Sequence, residues 1–279
     1  MITGHTNSTL RLLSYNIRFD NAGDEYPWES RRDHLVSILR FHHPDVIGLQ
    51  EALPAQVADI DADLAGYDWV GTSRDGGDEG ELTPLFYRAE RFSLEWSRTR
   101  WLSEEPHVPG SRGWDADTPR TVVAALLTDR TSNKRLRVYN THFDNHGKVA
   151  LKRSVELIRE WAVADASEAG EPCVILGDLN TTEGSEEYSR LTEMFSDAVR
   201  SAVEPRFGPD YTYVGPGFRV AERPGTRYDY ILTGAGVRAL RSATLTDSLH
   251  GRYPSDHLPI MSDVVLDLEA VSEEHRRGV

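Results

Sequence analysis

Asp178 and Asn180 stand where a purely structural role is expensive. They follow the apolar run Cys173-Val174-Ile175-Leu176 through Gly177. Such a run reads as a strand buried on both faces. Alternation along an extended backbone then directs Asp178 and Asn180 to the same side. Burying a polar group unpaired costs about 1–3 kcal/mol. At the mouth of an active site the same groups are useful, because a carboxylate can take a proton or a metal and an amide can hold an oxyanion. The competing structural explanation is an Asx-turn that closes the strand and caps the next helix.

The pattern recurs along the chain. Asn16 lies near the end of Leu10-Arg11-Leu12-Leu13-Ser14-Tyr15, and Glu51 closes Val46-Ile47-Gly48-Leu49-Gln50. His142 ends Val138-Tyr139-Asn140-Thr141, Asp229 sits within residues 227–233, and the pair Asp256-His257 precedes the last apolar run. One or two such endings are chance; this many imply convergence on one edge of a sheet assembly. Carboxylates, amides and imidazoles without cysteine form an oxygen-rich donor set that suits a hard cation, Mg²⁺ or Mn²⁺. The adjacent His42 and His43 look like a ligand pair, but Pro44 follows them, and ending a helix is the simpler role.

The elements that must position these groups are legible from periodicity. Strands are expected over residues 10–17, 45–51, 67–71, 82–87, 92–102, 121–128, 135–141, 173–178, 227–233 and 237–246, and from about 260 to 268. Helical spacing appears over residues 28–42, 54–64, 147–169 and 183–193. The connection 103–119 is long and rich in Pro and Gly, as binding loops are, so it is placed beside the substrate. Strands far outnumber helices. The expected architecture is α/β, two packed, mostly antiparallel sheets flanked by helices within a single domain spanning 1–279, with residues 1–9 and 269–279 frayed.

Composition narrows the function classes. The formal net charge is −14, and all but Lys134, Lys148 and Lys152 of the 31 basic residues are arginine. An acidic surface repels polyanions, so a general duplex-DNA binder is disfavoured. Salt adaptation of the whole composition is the alternative cause. Arg74 and Arg120 could contact a phosphate, but arginine is abundant and a surface position is expected for both. The single Cys173 sits in an apolar strand as inert packing and permits no internal disulfide. No stretch has the length and hydropathy of a signal peptide or a membrane span. A cytoplasmic protein without membrane insertion is expected.

The strand-end residues also carry a resemblance. Ser14-Tyr15-Asn16-Ile17-Arg18, Leu49-Gln50-Glu51, Asn140-Thr141-His142, Gly177-Asp178-Leu179-Asn180, Tyr228-Asp229-Tyr230-Ile231 and Ser255-Asp256-His257-Leu258-Pro259 resemble, in order, the successive motifs of the endonuclease/exonuclease/phosphatase superfamily. Each motif alone is weak; the ordered set is specific. The resemblance implies a four-layered α/β sandwich and divalent-metal-dependent hydrolysis of a phosphate ester by in-line attack of water. It implies that Asn16 and Glu51 bind the principal Mg²⁺, with Asp256 helping to hold it or a second ion. By the same resemblance Asp178 orients or deprotonates the attacking water, and Asn180 donates to a phosphoryl oxygen. Asp229 holds His257, while His257 and His142 contact the phosphate. Either Asp178 or His257 could be the general base.

Substrate is less determined. The chain shows no basic, aromatic-interleaved surface that would track a nucleic acid. A small or lipid-like phosphomonoester or phosphodiester is expected, a nuclease is the alternative, and a catalytically silent binding module is the remaining one. No protein partner is indicated.

Overall fold

The computed structural model describes residues 9–166, 170–219 and 225–267. The first sheet is built from β1 (Thr9–Asn16), β2 (Val46–Gln50), β3 (Tyr67–Val70), β4 (Leu85–Arg88), β11 (Val237–Thr244) and β12 (Ile260–Leu266), in the order β11-β12-β1-β2-β4-β3. The second contains β5 (Phe92–Trp101), β6 (Thr121–Asp129), β7 (Lys134–His142), β8 (Cys173–Asp178), β9 (Ser196–Asp197) and β10 (Asp229–Thr233), in the order β5-β6-β7-β8-β10-β9. Helices α1 (Trp28–His42), α2 (Pro54–Asp63), α3 (Lys148–Ala164), α4 (Glu186–Thr192) and α5 (Ala198–Ser201) complete the order.

Alternation sorts side chains into layers. Leu10 and Leu12 of β1 point into an apolar layer between the sheets with Val123, Val138, Val174, Leu176 and Ile231. Leu13 and Tyr15 point the other way, against Leu35 and Leu39 of α1 and Val57 and Ile60 of α2. Ile175 and Tyr230 meet Val155, Ile158 and Ala162 of α3 and Leu191 of α4 on the far side. Helices, sheet, sheet, helices make four layers. The continuous apolar run of β8 follows directly, since both faces of that strand are covered.

Neighbouring strands pair antiparallel except β1–β2 and β7–β8. Those two parallel pairs occupy the third and fourth places of their sheets. A parallel pair needs a crossover, supplied here by α1 and α3. Parallel pairing brings both C-terminal ends to one edge, with Asn16 opposite Gln50 and His142 opposite Asp178. Both edges lie on the same rim, and a buried amide ties the sheets there. Asn140 Nδ2 donates to the carbonyls of Leu49, Thr83 and Pro84, and its Oδ1 accepts from Gln50 Nε2 at 2.8 Å. A Cβ on Gly48 would stand 2.5 Å from that Oδ1, so only glycine lets the sheets close at this point.

Several expectations need adjustment. Thr9 already pairs with Val265, so order begins inside the segment expected to fray. The remainder of that segment and 269–279 lie outside the described residues. Helix α3 stops at Ala164, and residues 167–169 of its expected span are also outside. Helix α4 starts at Glu186 rather than 183, because Ser185 accepts the Tyr188 N–H as its N-cap. His43 ends α1 in the left-handed conformation, donating its N–H to the Leu39 carbonyl, which is the terminating role expected of it. Cys173 is buried, and burial raises its thiol to about 11. No helix of the described residues is long and apolar enough to cross a membrane.

Candidate active site

The rim where the parallel pairs end opens onto a cleft of about 620 Å³. Glu51, His142, Asp178, Asn180, Asp256 and His257 line it. Asn16 and Asp229, both fully buried, stand behind that wall and reach it through hydrogen bonds. All eight residues singled out by sequence therefore meet at one place.

Asn16 Nδ2 donates to Glu51 Oε1 at 2.9 Å and to Asp178 Oδ2 at 3.0 Å, while its Oδ1 accepts the Arg18 N–H. As placed, this amide bridges two carboxylates from opposite sheets and has its oxygen engaged by the backbone. Glu51 Oε2 accepts the Phe19 N–H at 3.3 Å and lies 3.9 Å from Arg18 Nη1. Asp229 Oδ2 holds His257 Nδ1 at 2.7 Å, leaving the other ring nitrogen 3.7 Å from Asp178 Oδ2. His142 Nε2 approaches the same oxygen at 3.6 Å. Two imidazoles and an amide thus surround a single carboxylate oxygen.

The electrostatics follow from burial and company. Burial, then the charge of Asp229, pushes the Asp178 carboxyl up to about 7. Burial pulls His257 down, but the Asp229 and Asp178 carboxylates outweigh it and hold the imidazole well above its ordinary value. His142 falls well below that value, from burial first and then from the Arg120 guanidinium. One histidine is disposed to carry charge and the other to stay neutral, 3.6–3.7 Å from a common oxygen.

Two groups of residues could hold a cation. Asp178, Asp229 and His257 bring ligand atoms within 4.8 Å of one another, but the short contact to Asp229 already occupies His257 Nδ1. Glu51 and Asp256 form the more open pair. Burial first, and then the nearby Glu51 charge, raise the Asp256 carboxyl against the opposing pull of His257 and Arg18, and Ser255 Oγ reaches it only at 3.4 Å. Two carboxylates that share Arg18 as their nearest guanidinium keep a net negative charge between them, and such oxygen donors fit a hard divalent ion.

The placement of Asn180 differs from the sequence expectation. Strand β8 ends at Asp178, and Asn180 has a left-handed backbone, φ 45°. A turn, not strand alternation, brings it to the cleft. Its N–H donates to Asp178 Oδ1 at 3.0 Å and its Nδ2 to the Phe143 carbonyl. The Asx-turn and a place on the cleft wall are both present. Glu51 is left-handed as well, φ 59°, a conformation that costs an ordinary residue about 1–2 kcal/mol. Asp229 opens β10 rather than lying within it.

Arg74 and Arg120 are not the surface residues expected from composition. Both line the cleft, and Arg120 is buried. The end of the long connection, Asp117 and Thr118, lies beside them. Sequence also gave no sign of Arg31, which is fully buried in α1. Its guanidinium donates to the carbonyls of Ile17, Arg18 and Pro254, clasping the loop after Asn16 to the loop before Asp256. Ser255 Oγ repeats that link by donating to the Asn16 carbonyl at 2.7 Å. The Tyr213 ring lies 5.1 Å from the His257 ring, tilted 56° to it, and lines the cleft with Tyr228.

Fold and site together define a phosphoesterase-type α/β sandwich. Residues 13–257 match the profile of the Endonuclease/Exonuclease/phosphatase family, and the chain belongs to that family, whose members hydrolyse phosphate esters. A family protein from Bacteroides vulgatus is 31% identical, with 93% of this chain and 99% of that one covered and a TM-score of 0.84. A mannosyl-6-phosphatase from Bacteroides thetaiotaomicron is 28% identical over 92% of this chain and 99% of its own, with a TM-score of 0.87. An uncharacterised protein of Acanthamoeba polyphaga mimivirus is 27% identical across 65% of this chain and 72% of its own length. The chain spans 36% of a second mimivirus relative, at 26% identity.

Proposed function

We propose that this protein is a divalent-metal-dependent hydrolase of small phosphate esters, acting by in-line attack of water. The observation that carries it is the meeting of acids, amides and imidazoles from both sheets around Asp178, beside a pair of under-compensated carboxylates. Glu51 and Asp256 would hold Mg²⁺ or Mn²⁺, with Asn16 fixing Glu51 from behind. When bound, the ion supplies polarisation of a phosphoryl oxygen and offsets charge on the leaving oxygen.

The remaining groups divide the work. Asp178 is placed to orient the attacking water and accept its proton, since its carboxyl is raised by burial. His257, held by Asp229, contributes positive charge toward the phosphoryl oxygens. The neutral His142 donates a hydrogen bond to the same group. Asn180 keeps the turn that aims Asp178, and its amide lies on the cleft wall. Positioning and electrostatics of this kind supply most of phosphoryl-transfer catalysis.

The mannosyl-6-phosphatase among the solved relatives makes sugar phosphates the first substrates to assay, and the net charge of −14 speaks against a polyanion. A panel of sugar phosphates, chromogenic mono- and diesters, plasmid and single-stranded RNA, with Mg²⁺ or Mn²⁺ at low and high salt, tests the proposal. The expected result is small-ester hydrolysis that EDTA and Asp178→Ala both abolish. Nucleic-acid cleavage with steep salt dependence would instead make the protein a nuclease. Metal binding without turnover of any ester would leave a binding module.

A further inference from the structure

The wall that the second sheet gives to the cleft changes in charge along its length, and that order bears on which ester the cleft takes. In the second sheet the order β6-β7-β8-β10 sets four side chains in a row along the rim. Arg120 precedes β6, His142 ends β7, Asp178 ends β8, and Asp229 opens β10 with His257 bound to it. Guanidinium stands at one end and the imidazole–carboxylate pair at the other. Arg74 joins the guanidinium end from the opposite sheet, and both arginines border a small recess beside Glu51 and His142.

Neither arginine is fully matched by the protein. Arg74 Nη1 donates to Glu81 at 2.8 Å, but its Nε is buried without an acceptor. Arg120 reaches the Asp144 carboxylate at 3.4 Å and the Asn145 amide oxygen at 3.3 Å, both long for charge-assisted hydrogen bonds. Asp144 is already engaged by the N–H groups of Asp117, His146 and Gly147. The Thr118 hydroxyl, also on the cleft wall, is buried with no partner. All three side chains line one cleft, Arg74 and Thr118 each with a buried donor that lacks an acceptor and Arg120 with long contacts alone.

Resting on the phosphoesterase reading above, we propose that Arg74, Arg120 and Thr118 form a subsite for the second negative charge of a terminal phosphate, which makes the enzyme a phosphomonoesterase. A monoester carries a charge of about −1.5 to −2 at neutral pH and three acceptor oxygens. A diester carries one charge, and its second organic arm would have to lie against two guanidinium groups.

The test compares p-nitrophenyl phosphate with bis-p-nitrophenyl phosphate at pH 8 in Mg²⁺, for wild type, Arg74→Gln, Arg120→Gln and Arg120→Lys. Wild type should prefer the monoester. Each Gln variant should lose about 10- to 100-fold in monoester kcat/KM, as expected for a lost charge-assisted hydrogen bond, with the diester changed by less than about 3-fold. Arg120→Lys should recover part of the loss. Equal losses on both esters, or a wild-type preference for the diester, would overturn the subsite. Inorganic phosphate binding by calorimetry gives a readout free of turnover. Weaker binding in both Gln variants supports the subsite even if neither ester is cleaved, an outcome that would sink the hydrolase reading alone. Unchanged phosphate binding in variants that melt like wild type overturns the subsite whatever is hydrolysed.

Discussion

The two ends of the sandwich use similar residues to opposite effect. At the rim away from the active site, β1 begins near Arg11, β2 follows Asp45, and a cleft of about 480 Å³ is lined by Arg11, Arg88 and Arg91. Each carboxylate there meets guanidinium or backbone donors. Asp45 accepts the Arg11 N–H at 2.8 Å and ion-pairs with Arg88 and Arg91, and Asp263 is held by Arg11 and Arg241. At the active rim, among the described residues, Asp178, Asp229 and Asp256 have no guanidinium ion pair, Glu51 has Arg18 only at 3.9 Å, and Asp229 Oδ1 is buried with no partner. Burial raises carboxyl groups at both ends. Guanidinium pairing reverses it for Asp263, whereas Asp178 and Asp256 stay raised. Compensated charge stabilises a fold; charge left uncompensated is available to a metal, a proton or a substrate.

That contrast breaks if a residue at one end behaves like one at the other. Asp178→Ala should give the largest effect, a loss of about 10²–10⁴-fold in metal-dependent ester hydrolysis, with a melting temperature equal to or above wild type because a costly buried acid is gone. A variant that melts well below wild type would mark Asp178 as a structural residue. Asp45→Ala should do the reverse. Removing one partner of a buried ion pair costs about 3–5 kcal/mol, and the partly exposed Arg88 and Arg91 place this case at the low end. Urea unfolding should show that loss while kcat/KM stays within about 2-fold of wild type.

Metal should sharpen the difference further. Mg²⁺ at a hundred-fold excess over its Kd should stabilise the wild type by about 2.7 kcal/mol, read as a rise in melting temperature. The rise should vanish in Glu51→Gln and persist in Asp45→Asn. A rise retained in Glu51→Gln would move the cation to the Asp178–Asp229–His257 group.

Much of the site was legible because burial and polarity conflict within short stretches. An Asp or Glu that ends an apolar strand is visible without knowing its neighbours, and parallel pairing then brings such ends together. Arg31 and Arg120 gave no such signal. Arg31 lies in an amphipathic helix among charged residues, where the pattern reads as solvent-facing, and its burial depends on two distant loops that close over it. Arg120 is one of many arginines, and only the pairing of β6 with β7 turns it into the cleft. Asn180 shows a subtler limit: its destination was right while the alternation used to reach it was not, because the strand had ended two residues earlier. The short β9 and α5 were missed because two- and four-residue elements leave no periodicity to read.

The smallest expected effect tests the compensated end by pH. Burial alone would raise the Asp263 carboxyl, but Arg11 Nε at 2.8 Å and Arg241 Nε at 2.6 Å hold it below its ordinary value. A carboxyl whose folded pKa is depressed stabilises the protein above the unfolded value, about 3.9, and loses that contribution as pH falls through the folded value. Asp263→Asn removes the charge at every pH. The gap in urea midpoint between wild type and variant should therefore be constant between about pH 5 and 7 and close below about pH 4. Neither residue lines the catalytic cleft, so ester hydrolysis at neutral pH should be alike in the two proteins. A gap that persists unchanged at about pH 3 would mean that packing around Asp263, and not its charge, holds β1, β11 and β12 together at that rim.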